Sequence, residues 1–479
     1  MEITSRKIEE LAPNADAAKN GRDLVAKNKF SNLKIDADKT LIWGECAGSG
    51  KNPYYVSADF VELSNPVFRC NCPSRQFPCK HGIGLLYAYE KALPFAVDSI
   101  PQDISDKRNK IEKKQEKKTQ EKETLKEKAE TPKKINKAAI IKKIEAQLSG
   151  IETAKKILIN ITQNGLSTID SKEKKNLQVQ IKELGNYYIP GIQTAFNDLL
   201  LELDEVKKEE YTLVIDQVNF ISALLKKATD YLNARKEDPE QAPEINSAIE
   251  EQIGTIWKLT DLIPLKLYEE DAAVLQLSFK SYNNEARKEF VDEGAWLNLK
   301  TGKIYKTKNY RPYKAVKYIK EDNSISEVLQ LKELYIYPGE PNPRIRWEAE
   351  ARTDRALTPS DITSIHTYAA ANYAELIKTV KNIIKNPLMD KNPLVLLQLH
   401  KASLYGNNMV IEDSNGNKIT LADPPDESLS TTIILRQLLP PNPAGMSLLA
   451  LITNNIQTGL ITAQPLTIVT TTKLIKLLY

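Results

Sequence analysis

The densest cluster of potential metal ligands in this chain is the stretch Cys70-Asn71-Cys72-Pro73-Ser74-Arg75-Gln76-Phe77-Pro78-Cys79-Lys80-His81. Residues at i and i+2 of an extended segment point to the same side, so Cys70 and Cys72 can reach one metal ion together. Cys79 and His81 stand at the start of a helix predicted over residues 80–91. Three thiolates and one imidazole make up a tetrahedral set that is common at structural zinc sites.

Two other interpretations of these cysteines are open from the sequence. Disulfide bonding would need an oxidising compartment, which nothing in the chain indicates, and a bridge across Cys-x-Cys is strained. Buried free thiols would leave the close clustering of three thiols and an imidazole unexplained. We therefore predict one structural Zn²⁺ per chain, held by Cys70, Cys72, Cys79 and His81, with no position left open for a catalytic water.

The pattern C-x-C…C-x-H resembles the SWIM zinc finger. The wider run Trp43-Gly44-Glu45-Cys46-Ala47-Gly48-Ser49-Gly50-Lys51-Asn52-Pro53-Tyr54, followed by residues 69–81, is similar to the bacterial SWIM proteins. The resemblance implies the same four ligands, a ββα unit, and a module that binds DNA or protein. It also implies partnership with a MoxR-type AAA+ ATPase and a von Willebrand factor A (VWA) domain protein.

The positive charge of this chain is concentrated in one segment. The 479 residues have a formal net charge of +4, and residues 101–138 alone carry 13 basic and 8 acidic side chains. This distribution argues against a dedicated DNA binder whose whole surface is basic. The N-terminal residues lack an apolar signal-peptide core, and no run of about 18 apolar residues is present. We therefore expect a cytoplasmic protein with no membrane contact.

Changes in composition divide the chain into five segments and predict an α+β multidomain protein. Residues 1–100 contain the small zinc-bound ββα finger domain, and residues 101–137 form a charged low-complexity linker. Apolar stripes at helical spacing predict a helical bundle over residues 138–265. The C-terminal half is β-rich, with one domain over residues 266–350 and a second domain, a helix plus strands, over residues 351–479.

Local signals predict where individual elements begin and end. Gly165 stops one helix, and Pro190 breaks or kinks another. Thr358-Pro359-Ser360-Asp361 carries an N-cap, a proline at the first helical position and an acid two residues later, so it starts a helix expected to reach about Lys385. Residues 413–417 predict a hairpin turn. Residues 30–32 predict a turn after the N-terminal helices.

The segment 300–320 combines basic and tyrosine side chains and contains eight Lys or Arg residues but no acid. The candidate contacts for a partner are its cations and those of the finger, namely Arg69, Arg75, Lys80, Lys306, Lys308, Arg311, Lys314 and Lys317. Three interpretations remain open. The segment is an ordinary sheet with lysine at its edges, a docking surface for an acidic protein, or a surface for nucleic acid.

Two motifs near the finger resemble catalytic ones without meeting their requirements. Residues 48–51, Gly-Ser-Gly-Lys, look like part of a P-loop, but Glu45 and Asn52 stand where that motif needs Gly and Ser or Thr. The environment of Cys46 resembles a nucleophile elbow, but no helix follows it. Cys46 is therefore expected to be a small buried hydrophobic residue.

The two histidines outside the cluster, His366 and His400, have no partner pattern beside them and are expected to be packing or surface residues. No catalytic constellation emerges, so we predict a non-enzymatic protein. Its predicted function is that of a zinc-binding adaptor that uses the finger and the β-rich region to bind a protein partner. The alternative is a DNA- or RNA-binding protein that uses the finger and the segment 300–320.

Overall fold

The structure is a computed structural model. It describes residues 3–48, 52–61, 66–74, 77–110, 136–204, 206, 210–316, 319, 321–339, 341–406, 408–424, 430–440, 442–455 and 459–478. The chain forms two compact units, residues 1–121 and residues 122–479. Across these described ranges, no helix is both long enough and apolar enough to span a bilayer.

The first unit is a five-stranded sheet with helices packed on it. The helices are α1 (Ser5–Leu11), α2 (Ala15–Ala26) and α3 (Lys80–Glu90). The strands are β1 (Phe30–Ile35), β2 (Leu41–Cys46), β3 (Tyr54–Asp59), β4 (Val67–Cys70) and β5 (Ala96–Val97), in the spatial order β4-β3-β2-β1-β5. β3 and β4 pair antiparallel and α3 follows them, so the predicted ββα unit is confirmed.

Alternate side chains of the central strands enter two apolar clusters, one on each face of the sheet. Ile42 and Val56 are fully buried in the cluster that includes the apolar residues of α3. Leu41 and Trp43 pack in the second cluster, where Ile104 joins them. Both faces of the sheet are therefore covered at β2. This explains why consecutive residues of β2 are apolar, instead of alternating between apolar and polar.

Residues 102–110, placed in the predicted linker, are helical and belong to the first unit. Arg108 of this helix donates to Asp59 at 2.8 Å, and Arg69 of β4 donates to the same carboxylate at 3.0 Å. Asp59 is almost completely buried. Burial opposes its ionisation, but the hydrogen bonds from Arg108 and Arg69 prevail and lower the pKa of Asp59. The rest of the predicted linker, residues 111–135, lies outside the described residues.

The predicted turn at residues 30–32 is wrong, because these residues begin β1. Phe30 and Ser31 pair with Cys46 and Glu45 of β2, and the register shifts between Ser31 and Lys34. Asn32 has a positive φ of 50°, a conformation that asparagine tolerates better than most residues. The residues that looked like a turn in the sequence therefore form a β-bulge inside β1.

The second unit begins with four long helices that form the predicted bundle. They are α4 (Lys137–Asn164), α5 (Ser171–Glu183), α6 (Pro190–Asp204) and α7 (Thr212–Glu237), followed by the short α8 (Ile249–Ile253) and α9 (Leu259–Leu262). Gly165, with a φ of 88°, ends α4, and a new helix starts at Pro190, as predicted. Ile151, Phe196 and Ile221 are fully buried in one shared core.

Two sheets complete the second unit. The six-stranded sheet contains β6 (Tyr268–Asn284), β7 (Glu289–Asn298), β8 (Ile304–Pro312), β9 (Val328–Ile336), β10 (Ile345–Arg346) and β11 (Arg352–Arg355), in the order β10-β9-β6-β7-β8 with β11 on β9. The seven-stranded sheet contains β12 (Leu394–Gln398), β13 (Lys401–Tyr405), β14 (Asn408–Glu412), β15 (Lys418–Leu421), β16 (Ser447–Asn455), β17 (Leu460–Val469) and β18 (Leu474–Lys476). Its order is β12-β16-β17-β15-β14-β13 with β18 on β17. The predicted hairpin at residues 413–417 joins β14 to β15.

Residues of the two sheets share an apolar core. Leu275 and Leu297 of the six-stranded sheet pack in one cluster with Leu396 and Leu449 of the seven-stranded sheet. Thr467 also donates a hydrogen bond to a β6 carbonyl. The segments 266–350 and 351–479 are therefore packed together within one compact unit.

The helix predicted from residue 359 to about Lys385 is two helices. They are α10 (Pro359–Tyr368) and α11 (Tyr373–Lys385), and a later helix, α12 (Thr431–Leu438), lies between β15 and β16. The predicted N-terminal capping box at Thr358 and Asp361 is present. The break occurs because Ala370 exchanges backbone hydrogen bonds with β12 and Asn372 caps a new helix.

Candidate metal centre

The Cys70–Cys72 segment is held in place by the edge of the sheet. Cys70 is the last residue of β4. Asn71 continues the pairing, because its N–H donates to the Tyr55 carbonyl at 3.3 Å and its Oδ1 accepts from the Tyr55 N–H at 2.9 Å. These two bonds fix the backbone between the two cysteines, so both thiols stay on one side.

The other two predicted ligands come from the start of α3. Cys79 is the N-cap residue, and its thiol makes no capping hydrogen bond, so its Sγ is left for the metal. His81 lies in the first turn and is 4% exposed. Residues 81–88 of the helix are all buried. A helix that is packed on all sides cannot shift, so its start, with Cys79 and His81, is held in place.

The four predicted ligand atoms lie close enough to share one ion. All of them are within 4.8 Å of one another. His81 Nδ1 is 3.8 Å from the Sγ atoms of both Cys70 and Cys79. Tetrahedral zinc with standard bond lengths separates its sulfur and nitrogen ligands by about 3.5 Å, so a small inward shift would complete the site. The donor set therefore fits Zn²⁺.

One thiol of the cluster, that of Cys79, is electrostatically prepared to become a thiolate. Cys79 Sγ accepts a hydrogen bond from the Cys70 thiol, which lowers the pKa of Cys79, and the hydrogen bond with the His81 ring lowers it further. Retention of the shared proton and burial raise the pKa of Cys70. Zinc replaces that proton, because a divalent cation stabilises several neighbouring thiolates at once.

Close packing around the cluster holds α3 against its neighbours. The Tyr54 ring lies 4.9 Å from the His81 ring. Gly21 of α2 and Gly84 of α3 let the two helix backbones meet, since a Cβ on Gly21 would lie 2.9 Å from the Gly84 nitrogen. Tyr54 and these two glycines were not among the residues predicted from the sequence, although a small residue on each of two neighbouring helices is a recognisable signal of close helix packing.

Comparison with known protein families identifies the cluster. Residues 63–90 match the family model of the SWIM zinc finger. The match covers β4, the four ligand positions and α3, so the SWIM finger of this chain contains the complete Cys₃His set. The chain therefore carries a zinc-binding finger with one structural zinc site, as its sequence predicted.

Other comparisons add little. No curated protein is significantly similar to the chain. A solved structure described as "Structural mimicry for functional antagonism" is 11% identical and covers 41% of this chain and 90% of its own, with a TM-score of 0.18. Another, "Structure of murine DNA binding protein bound with ds DNA", is 11% identical and covers 43% and 96%, with the same TM-score. This score is too low to indicate a shared fold.

The candidate contact cations of the SWIM finger have different environments. Arg69 is half-buried and paired with Asp59. Lys80 is exposed at the start of α3. Arg75 lies outside the described residues. Lys80 is thus the one of these three that the described structure presents on the surface.

Most candidate cations of the segment 300–320 are engaged inside the second unit. Lys306 is 7% exposed and pairs with Asp390 at 2.6 Å. Arg311 is 4% exposed and pairs with Asp292 at 2.8 Å. Lys308 is half-buried at 3.4 Å from Glu293. The remaining two candidates differ: Lys314 is exposed, and Lys317 lies outside the described residues. Lys306 and Arg311 therefore have structural roles.

Two of the three residues considered for catalysis, Cys46 and His366, are packed into the fold. Cys46 is fully buried in the core of the first unit, and burial raises its pKa to about 11. His366 is bonded through Nδ1 to the Ser447 hydroxyl at 2.7 Å and through Nε2 to a backbone carbonyl. Ser447 itself is fully buried, so a substrate could not reach this pair. His400 is exposed.

Proposed function

We propose that this protein is a non-enzymatic, zinc-stabilised interaction protein whose SWIM finger docks onto a protein partner. The observation that carries the proposal is the surface of the finger. Phe77, between the two ligand pairs, is 52% exposed, and Val67 at the start of β4 is 43% exposed. Exposed aromatic side chains are enriched at protein interfaces, so Phe77 is the anchor we propose.

The placement of the cations favours a protein partner over nucleic acid. A polynucleotide surface requires free cations arranged along the phosphate backbone. Arg69, Lys306 and Arg311 already pair with internal carboxylates, so each would have to give up that pair to bind a phosphate. An apolar anchor such as Phe77 needs no such exchange.

The partner we propose is protein in nature and resides in the cytoplasm. The SWIM resemblance implies a MoxR-type AAA+ ATPase and a VWA-domain protein as the pair to test first. In that assembly the finger would act as an adaptor, because a closed Cys₃His set supplies a rigid shape rather than a reactive metal. The zinc then stabilises the position of Phe77 and takes no part in chemistry.

A binding experiment with matched variants tests the proposal. Tagged full-length protein, expressed in its native cells and treated with nuclease, is captured and its partners are identified and re-bound as purified proteins. Phe77→Ala should keep one zinc per chain and weaken partner binding about 5- to 30-fold, the usual effect of losing an interface anchor. Val97→Ala, which truncates a side chain 72% exposed elsewhere in the same unit, should bind normally.

Two results would contradict the proposal. One is equal partner binding by Phe77→Ala and the parent protein. The other is the absence of a protein partner together with polynucleotide binding that weakens steeply with salt, which would assign the alternative function.

A further inference from the structure

A large cleft in the second unit is independent of the finger. It has a volume of about 790 Å³, within the ~300–1,000 Å³ usual for small-molecule sites. One wall is the first turn of α6 with residues 251–257 of the bundle, and the opposite wall is the six-stranded sheet with residues 344–347. Three of the four tryptophans of the chain line it, namely Trp257, Trp296 and Trp347.

The floor of the cleft is built from polar groups on three neighbouring strands. Trp296 of β7 donates its indole N–H to Thr307 of β8 at 2.9 Å. Gln276 of β6 is 2% exposed, and its amide oxygen accepts from the Ile325 N–H at 2.7 Å. These groups can meet only because residue 294 is a glycine. A Cβ on Gly294 would lie 2.7 to 3.1 Å from the side chains of Trp296, Thr307 and Gln276. The floor is thus ordered before any ligand arrives.

The walls of the cleft carry a group of arginines. Its guanidinium residues are Arg287, Arg344, Arg346 and Arg352. Arg287 and Arg352 pair with Glu289 and Asp354 at 2.7 and 2.6 Å. Arg344 lies 4.2 Å from the Tyr337 ring centroid, donates to Tyr310 at 3.2 Å and to Glu251 at 3.2 Å, and has a buried Nε with no partner among the described residues. Arg346 is exposed and forms no ion pair with a described residue. One planar guanidinium can bind two oxygens of a phosphate at once, so the unpaired Arg346 suits an anionic ligand.

Two further observations indicate a ligand that is both polar and partly buried. Trp257 is 8% exposed, lines the cleft, and has an indole N–H without a hydrogen-bond partner among the described residues. A buried donor without a partner destabilises the protein, so a ligand acceptor that reached this N–H would be favoured. The N-terminus of α6, a 15-residue helix, adds positive potential at the same wall.

We propose that this cleft binds a nucleoside phosphate. The phosphate lies against Arg346, which forms no ion pair with a described residue, and the flat base packs on Trp347, which is half-buried with its ring 5.2 Å from Trp296. Arginine and tryptophan side chains recognise phosphate and base faces respectively, and the cleft is large enough for both parts of the ligand. The proposal does not depend on the function proposed for the finger.

Titration calorimetry on the full-length, zinc-loaded protein tests the site. The probes are AMP, GMP, CMP and UMP, with inorganic phosphate, a short single-stranded oligonucleotide and an aspartate-rich peptide for comparison. At least one mononucleotide should bind, and at least tenfold more tightly than inorganic phosphate. Arg346→Ala and Trp347→Ala should each weaken that binding at least tenfold. Arg436→Ala, on α12 outside the cleft, should not change it.

The outcomes that overturn the proposal are distinct. They are no mononucleotide binding at millimolar concentration, equal binding by the two cleft variants and the parent, or binding by the oligonucleotide or the acidic peptide alone. A parallel titration of Phe77→Ala separates the two proposals, since that variant should bind nucleotide normally. Arg346→Ala, at an exposed position, remains the test if Trp347→Ala does not fold.

Discussion

At the scale of single residues, the first unit depends on side chains that each hold several other groups in place. Each of the four zinc ligands stabilises the finger only together with the other three, because metal binding and folding are coupled. Asp59 is comparable, since one buried carboxylate holds Arg69 and Arg108 from two separate elements. In the second unit, Asp361 joins a helix cap to Arg355 in the same way.

Replacing one ligand should release the zinc. We expect Cys72→Ser to lower the zinc content from one per chain to nearly zero, because three ligands cannot close the tetrahedral site. Elemental analysis and proteolysis of residues 54–90 measure the effect. Cys46→Ala, which removes a buried thiol outside the cluster, is the control and should keep its zinc. Full zinc content in Cys72→Ser would refute the ligand assignment.

Acid should weaken the second unit partly through Asp361. Hydrogen bonds from Arg355 and Thr358 outweigh burial and lower the pKa of Asp361. A lowered folded-state pKa gives stability that is present above the unfolded value, about 4, and is lost as the pH falls through the folded value. Asp361→Asn should therefore lower the free energy of unfolding by about 1–3 kcal/mol at pH 7 and reduce its loss in acid.

Urea unfolding followed by tryptophan fluorescence checks this expectation, because three of the four tryptophans lie in the second unit. Asp354→Asn is the matched control, since the Asp354 carboxylate is 41% exposed and its pair with Arg352 should contribute little. If the free energy of unfolding of Asp361→Asn changed with pH as it does in the parent protein, the cap would not contribute to the loss of stability in acid.

At the scale of elements, the finger is positioned by a helix crossing. α2 meets α3 through Gly21 and Gly84, and the crossing places the N-terminus of α3, with Cys79 and His81, against β4. Helical periodicity predicted the helices of the second unit because each long stripe of apolar residues specifies its own face. It failed at residues 369–372, where a backbone pairing with a distant strand interrupts a helical pattern.

A side chain at the crossing should separate the two helices. The Gly84 backbone cannot move aside for a Cβ on Gly21, so Gly21→Val should destabilise the first unit by about 1–3 kcal/mol through overpacking. Hydrogen exchange of the α2 and α3 amides measures the loss. Asn20→Ala, at the neighbouring exposed position, should leave exchange unchanged. Equal protection in both variants would mean that the helices are not tightly packed in solution.

At the scale of the whole molecule, the chain combines two kinds of stability. The first unit, residues 1–121, adds a metal site to a small core, whereas the second, residues 122–479, relies on the cores of the helical bundle and of the two sheets. Small cores commonly need such reinforcement because they bury a smaller fraction of their surface. The metal should therefore matter to one unit and not to the other.

Removing zinc should loosen the first unit selectively. A structural zinc contributes on the order of 10 kcal/mol of apparent folding free energy, comparable to the total stability of a small domain. Chelation should therefore accelerate hydrogen exchange in β3, β4 and α3 by at least tenfold, and added zinc should reverse the change. The helices α4 to α7 serve as the internal control. Faster exchange there would show that the metal supports the entire chain.

The sequence by itself determined the features that depend on neighbouring residues. The zinc ligands are specified by their spacing over twelve residues, and the cap at Thr358 and the hairpin at residues 413–417 by adjacent side chains. The helical stripes follow the same rule, since an apolar face repeats every three or four residues. Local geometry was sufficient for all of them.

Only the tertiary structure decided which cations of residues 300–320 are buried in ion pairs and which are exposed. Lys306 and Arg311 belong to a sequence without acids, yet Asp390 and Asp292 reach them from other elements and bury them. The cleft with its four arginines was equally hidden, because its walls come from segments as far apart as Pro190 and Arg352, which are 162 positions apart in the chain. Charge and burial depend on partners that fold next to a residue, and these distant partners leave no pattern in the local sequence.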